Sequence, residues 1–204
     1  MDSIIPVNLA VEDNLSEIVL RKMLQQSGRP YKIGACYGKK GCDYLRDKIT
    51  GFNNAAKGTP FVLLTDLDRT ECAPLLLKKW MTHKKNENLI FRIAVRAVES
   101  WLLAHRKAFA SFIGISAKMI PENPDEIENP KKFLIKVASK SRKHELRESI
   151  VPLAGSTAKV GPDYTGKLSD FVQNSWDVKE ALKNSNSLKR AFSVIMSFKP
   201  VYKN

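Results

Sequence analysis

The stretch FVLLTDLDRTEC at residues 61–72 begins with four apolar residues and a threonine, then places two aspartates one residue apart. A Gly-Thr-Pro turn at 58–60 precedes it, so the apolar run is short and sharply bounded. That pattern predicts a strand buried on both faces, as in a parallel sheet covered by helices. Beyond the aspartates, Leu75, Leu76, Leu77 and Trp80 set a helical pattern, and Leu89 to Val95 reads as another strand. Before the turn, Ile4 to Val11 predicts a buried strand stopped by Glu12, and Ile18, Leu20, Met23 and Leu24 carry a helix that starts near Ser16. Tyr31 to Tyr37 and Gly41 to Asn54 repeat the strand-then-helix order. Repeated alternation of this kind predicts an α/β protein with an open, Rossmann-like parallel sheet flanked by helices. Ligands of such sheets bind outside the carboxyl ends of the strands, which is where Glu12, Asp66, Asp68 and the stretch Arg96 to Glu99 fall.

From Val98 onward the pattern is helical. ESWLLAHRKAFASFIG at 99–114 leads into a turn with Pro121, Pro124 and Pro130, then a basic helix from Lys131 to about Lys143, then helical patterns near 165–175 and 187–198. The expected organisation is an α/β catalytic domain over residues 1–105. A basic, mainly helical C-terminal subdomain over 106–204 is expected to pack on or over the active edge of the sheet. A chain of 204 residues has room for both.

Thirty-four Lys and Arg against 21 Asp and Glu give a net charge of +13, with the excess leaning toward the second half. Such a charge favours a polyanionic partner, nucleic acid first, through steering and counterion release; a merely basic, soluble surface is the plainer alternative. Cys36, Cys42 and Cys72 are odd in number and lack CxxC spacing, which argues against a disulfide framework or zinc knuckle and suits a reducing cytosol. The first residues lack the basic start of a signal peptide, and no apolar run approaches the roughly 18 residues of a membrane span. The expectation is a cytoplasmic protein with no membrane partner.

Carboxylates at the ends of two buried strands repel one another unless something offsets the charge, and a divalent cation is the simplest offset. Hard oxygen ligands suit Mg²⁺ or Mn²⁺, which bind a few carboxylates together with substrate phosphate oxygens. Such a metal activates the attacking water and stabilises the leaving oxygen in phosphodiester chemistry. A DxD after a strand is also a common helix cap or turn, because Asp favours N-caps.

These residues resemble the TOPRIM domain, in which a Glu after the first strand and a DxD after a later strand bind magnesium. The matching segments are NLAVEDNLSE, with Glu12, and FVLLTDLDRTEC, with Asp66 and Asp68. The chain as a whole resembles TOPRIM-like proteins of bacteria and phage-defence islands, relatives of the overcoming-lysogenization-defect nucleases. AVESWLLAH, with Glu99, and the Gly155 to Tyr164 run extend the match. The resemblance implies metal-dependent cleavage of nucleic acid, DNA before RNA, in anti-phage defence, and it admits an ATPase or other defence-system partner protein. It implies Glu12, Asp66, Asp68 and Glu99 as metal ligands and Lys159 as a basic residue assisting cleavage. Asp13 departs from the glycine that many TOPRIM proteins carry after the first Glu, which bears on the backbone at that turn.

Other readings attach to the same residues. Glu99 could be an exposed acid in the first turn of a helix, and Lys159 a solvated loop lysine. Arg96 could hold a phosphate or pair with Glu99, and Trp101 with its leucine neighbours reads as core. The run from Lys131 to Arg147 has seven basic residues and one acid, Glu145; Lys132, Lys136 and Lys143 are its candidate phosphate contacts. The DxDxT pattern over Asp66 to Thr70 also fits haloacid-dehalogenase-like phosphatases, with Asp66 as nucleophile, although that motif normally follows a family's first strand. A non-catalytic nucleic-acid-binding or sensor subunit is a third reading. His83, His105 and His144 show no ligand spacing.

Overall fold

The computed structural model describes residues 3–202. Its first half alternates as the sequence predicts: β1 (Ile5–Val11), α1 (Asn14–Gln26), β2 (Tyr31–Gly38), α2 (Gly41–Ala55), β3 (Phe61–Asp66), α3 (Ala73–Trp80) and β4 (Leu89–Ala94). The four strands form one parallel sheet in the order β2-β1-β3-β4. The apolar runs of β1, β3 and β4 are explained by burial on both faces, because successive strand side chains point to opposite sides. Val7, Leu9, Val11, Val62, Leu64 and Ile90 face one core, while Ala10, Phe61, Leu63, Leu89 and Phe91 face the other with Leu45, Ile49 and Phe52 of α2.

The remaining helices are α4 (Val98–Ala104), α5 (Arg106–Ile113), α6 (Pro130–Ala138), α7 (His144–Ile150), α8 (Tyr164–Asn174), α9 (Val178–Ala181) and α10 (Asn186–Ser197). Together with α1 they fill the first face: one continuous cluster of buried side chains runs from β1 and α1 through Trp101, Phe109, Leu134, Phe171 and Trp176 to Ile195. Among the described residues no helix is long and apolar enough to cross a membrane.

Two helical stretches are shorter than their periodicity predicts. The 99–114 pattern breaks at His105, where the Asn184 side-chain amide donates to the Ala104 carbonyl at 2.8 Å and His105 Nδ1 accepts from the Asp177 N–H at 3.1 Å. The basic stretch from Lys131 ends as helix at Ala138, well before Lys143. There the chain turns to close off α5: the buried Ser141 hydroxyl donates to the Ile113 carbonyl, and Lys143 Nζ donates to the Ser111 and Phe112 carbonyls at 2.9 Å each. These carbonyls lack partners within their own helix, so satisfying them outweighs continuing α6.

At the far end of the sheet from the acidic strand ends, the Asn88 side chain accepts from the Val201 N–H and donates to the Val201 carbonyl, both at 2.7 Å. Arg29 donates to the Met196 carbonyl at 2.8 Å and to the Phe198 carbonyl, and the Tyr31 hydroxyl donates to the Ile195 carbonyl at 2.6 Å. The end of α10 is thus tied to the start of β2.

Trp101 links the layers. Its ring is fully buried, its Nε1 donates to Ser187 Oγ at 2.7 Å, and its carbonyl accepts from Trp176 Nε1 at 3.0 Å. Truncation would leave a large cavity, so Trp101→Ala is expected to cost about 3–5 kcal/mol in urea denaturation. A loss below about 1 kcal/mol would show that the helical layer is not anchored through this ring.

Candidate metal centre

The register of the sheet sets the acids side by side. Val11 pairs with Leu64, so Glu12, the next residue, comes level with Thr65 at the end of the neighbouring strand. Glu12 Oε1 accepts from the Thr65 hydroxyl and from the Asp66 N–H at 2.9 Å. Asp66 in turn accepts from the Val98 N–H at 3.0 Å, at the first turn of α4. Glu99, the following residue, is only 2% exposed, which rules out the solvated first-turn acid that helical position alone allows. Its Oε1 accepts from the Tyr164 hydroxyl at 3.0 Å and lies 3.5 Å from Lys131 Nζ, whereas Oε2 is enclosed without a hydrogen-bond partner.

Asp68 is exposed, with a left-handed backbone at φ 50°. Few side chains adopt that region, and Asp tolerates it better than most. Hydrogen bonds hold the turn: the Leu67 and Asp68 N–H groups donate to the Arg96 carbonyl at 3.0 Å each, and the Arg96 guanidinium donates to the Thr70 carbonyl at 2.6 Å. Arg96 therefore braces the DxD turn and does not pair with Glu99. Asp13 caps α1 by accepting from the Ser16 N–H at 2.8 Å, in extended backbone at φ −149° that requires no glycine.

Ligand atoms of Glu12, Asp68 and Cys42 lie within 4.8 Å of one another, the one such trio of His, Cys, Asp or Glu among the described residues. Asp66 and Glu99, expected as ligands, are outside this trio: Asp66 turns to the Val98 N–H and Glu99 to Tyr164 and Lys131. Cys42 was not marked out by the sequence, since no motif links it to Glu12. Nor does sequence spacing single out Lys131 or Tyr164, which α6 and α8 carry to Glu99. Lys159 is exposed in the connection between α7 and α8. Lys132 lines a cavity of about 530 Å³ with Asp68, Arg69, Arg96, Glu128 and Asn129. Lys136 is exposed on α6, and the ammonium of Lys143 is engaged with the end of α5.

The electrostatics are those of crowded acids. Burial pushes Asp66 well above the usual carboxylate range, with repulsion from Glu99, Glu12, Asp13 and Asp68 adding to it. Glu12 is raised too, chiefly by burial, against the lowering effect of its bonds from Thr65 and Asp66. The Cys42 thiol is raised by burial and by Glu12, Asp43 and Asp68. Lys131 is raised although burial opposes it, because Glu99, Asp13 and Asp66 favour its charge. Comparison with protein-family models, curated proteins and solved structures gives no match for this chain.

These directions fix a pH dependence. With their carboxyls raised, folded Glu12 and Asp66 keep protons that the unfolded chain has already lost. Their contribution to stability is complete below the ordinary carboxylate range and is lost as pH rises through the raised folded values. Glu17 and Glu145, which are lowered, act with the opposite sign and at lower pH. In EDTA, Glu12 and Asp66 are therefore expected to lower the urea midpoint as pH rises above the ordinary carboxylate range, against the opposite contribution of His105, which burial lowers, and Asp66→Asn is expected to flatten the decline they cause. An Asp66→Asn profile that runs parallel to the parent's would contradict the crowding.

Proposed function

We propose that the carboxyl end of the sheet is the active site of a TOPRIM-like, metal-dependent nuclease that hydrolyses phosphodiesters of nucleic acid, DNA before RNA. The observation that carries this reading is the meeting of Glu12, Asp66, Asp68 and Glu99 at one sheet end beneath a basic rim. The donor set fits a divalent cation: the acids repel one another, and Glu99 Oε2 is a buried carboxylate oxygen without a partner. Mg²⁺ or Mn²⁺ held by Glu12 and Asp68, with Asp66 and Glu99 beside them, would supply an activated water and charge stabilisation at the leaving oxygen.

The chain's own residues do the rest. Glu12, its Oε1 fixed by Thr65 and Asp66, is placed to take a proton from water through its other oxygen. Tyr164 and Lys131 orient Glu99 from the helical layer. Lys131, half-exposed and close to the acids, takes the role of the assisting basic residue that the family resemblance offered to Lys159. Arg69 and Lys132 around the neighbouring cavity supply cationic contacts for the phosphates flanking the scissile one, while Arg96 holds the turn between them. A cytoplasmic site of action and a role in phage defence belong to this proposal through the same resemblance.

The deciding experiment incubates the protein with supercoiled plasmid, linear duplex, single-stranded DNA and RNA in Mg²⁺, Mn²⁺ or EDTA. Asp68→Asn is expected to reduce cleavage by about 100-fold or more while leaving metal-free thermal stability unchanged or slightly higher. It should also remove most of the Mg²⁺-dependent rise in Tm, which in the parent grows with metal concentration. Identical melting curves for the two proteins across the titration would end the metal reading, and binding without cleavage under every condition would favour a sensor subunit.

A separate set of variants tests the rim. Lys131→Ala is expected to slow cleavage by about 10-fold or more, with Lys159→Ala close to the parent. Lys132→Glu should weaken DNA binding and lower the magnitude of the log-log salt slope by about 1. Equal effects at Lys131 and Lys159 would return the assisting role to the loop.

A further inference from the structure

We propose that a cleft on the flank of the sheet, between the edge strand β4 and α10, binds phosphates of a nucleic-acid backbone through Arg92, Lys189 and Arg190. The proposal rests on the nucleic-acid reading above and deepens it, giving the polyanion a second hold away from the acids and their rim. The cleft has a volume of about 510 Å³ and is lined by Arg92, Asn186, Lys189, Arg190, Ser193 and Val194. Its lining contains three cations and no acid, whereas the cavity beside Asp68 also contains Glu128.

Strand alternation and helix periodicity create this grouping. Ile90 and Ala94 lie in the core of the first face, so Arg92, two residues from each, points to the same face, where α10 packs on β4. On α10, Leu188, Ala191, Phe192 and Ile195 are buried, whereas Asn186, Lys189, Arg190 and Ser193 are exposed. Their i, i+3, i+4, i+7 spacing sets these four along one side of the helix. The row covers about 10 Å of helix axis, and each strand of a duplex presents one charge per roughly 3.4 Å, so its length suits a run of phosphates better than one small anion. α10 starts beside α4, where Ser187 meets Trp101, and ends at the start of β2, so the row runs back from the acidic end of the sheet. Ala94 pairs with Asp66, which places Arg92 only about 7 Å short of that level along its strand. One polynucleotide can therefore lie along both.

Arg92 is what distinguishes the cleft from a solvated basic helix. Its Nε is buried without a hydrogen-bond partner, and among the described residues neither Arg92, Lys189 nor Arg190 forms an ion pair. Burial pushes the Arg92 guanidinium below its ordinary value, and Lys85, lowered by burial, is lowered further by repulsion from Arg92. A guanidinium taken partly out of water, with a cation near it and no acid, is costly to the fold. A backbone phosphate brings the missing negative charge and two oxygens that match the guanidinium fork. Water around a surface helix accounts for Lys189 and Arg190 but not for a charged group set into the face of the sheet.

Binding is measured on the full chain in EDTA, so that cleavage does not enter, by fluorescence anisotropy of labelled single-stranded and duplex DNA over a range of salt. Arg92→Met is expected to weaken binding by about 10-fold, as loss of a charge-assisted hydrogen bond predicts, and to lower the magnitude of the log-log salt slope by about 1. Because the substitution removes an unpartnered, partly buried charge, its Tm should equal or exceed the parent's. Lys189→Gln/Arg190→Gln, at exposed positions, should lower the slope by about 2. Lys78→Gln/Lys79→Gln makes the same change of charge on α3, which packs on the opposite face, and should have the smaller effect. Equal losses in the two lysine-bearing pairs overturn the proposal, as does a marked fall in Tm on Arg92→Met, which would make this a structural arginine. Parental binding by Arg92→Met beside weakened binding by Lys132→Glu removes the cleft and leaves the rim reading intact. Inorganic phosphate is the second probe: a phosphate-dependent rise in Tm that Arg92→Met abolishes, with DNA binding unchanged, overturns the backbone assignment in favour of a small anion. Absence of DNA binding by every form, in EDTA and in Ca²⁺ alike, overturns the cleft and the reading it rests on together.

Discussion

The grip of the Glu12 carboxylate on the end of β3 is the constraint around which the rest of the structure is arranged. One oxygen accepts from both the Thr65 hydroxyl and the Asp66 N–H, so two neighbouring parallel strands are joined at their carboxyl ends by a side chain. A buried carboxylate is costly unless its hydrogen bonds are supplied, and here strand register supplies them. The same contact brings Asp66 and then Glu99 into a small volume, because Asp66 is itself tied to the start of α4. Negative charge is thereby concentrated where the sheet ends, and every later element must accommodate it.

The helical layer does so with two kinds of group. Tyr164 and Lys131 reach inward to Glu99, whereas Arg69, Arg96 and Lys132 stand outside around the cavity next to Asp68. The arrangement is acidic at its centre and basic at its rim. It suits the proposed handling of a phosphate backbone: the rim attracts the polyanion, and the centre would repel it without a bridging cation. Arg96 also shows that charge need not mean ligand binding, since its guanidinium is spent on the Thr70 carbonyl. Lys143 makes the same point at the end of α5.

Much of the fold was legible in the sequence, and the reason is physical. Strands covered on both faces leave uninterrupted apolar runs, so FVLLT and its counterparts marked the sheet, and the acids at their ends marked the edge that carries the candidate site. Helix boundaries in the second half were less legible because hydrophobic periodicity does not record where carbonyls find outside partners. The break at His105 depends on Asn184 and Asp177, and the stop after Ala138 depends on Ser141 and Lys143 serving α5. The candidate site was legible where strand position sufficed, at Glu12 and Asp68, whereas the inward turn of Asp66 to Val98 was not. Cys42, Lys131 and Tyr164 were illegible because their nearness to the acids is created by a loop crossing and by helix packing, neither of which leaves a spacing in the chain. The burial of Glu99 likewise came from α6 and α8.

The fastening of α10 to the start of β2 has a kinetic consequence. Arg29 and Tyr31 bond carbonyls at the end of α10 across 164 to 169 residues of intervening sequence. Loops of that length must close before those contacts contribute anything, and non-local closure is what slows folding. Until α10 docks, the apolar face of β4 and the ring of Trp101 lack their cover, so it is this late element that completes the first face of the sheet. The acidic end forms from shorter-range contacts among β1, β3 and α4, which allows the proposed catalytic acids to assemble while the opposite end of the molecule is still unfastened.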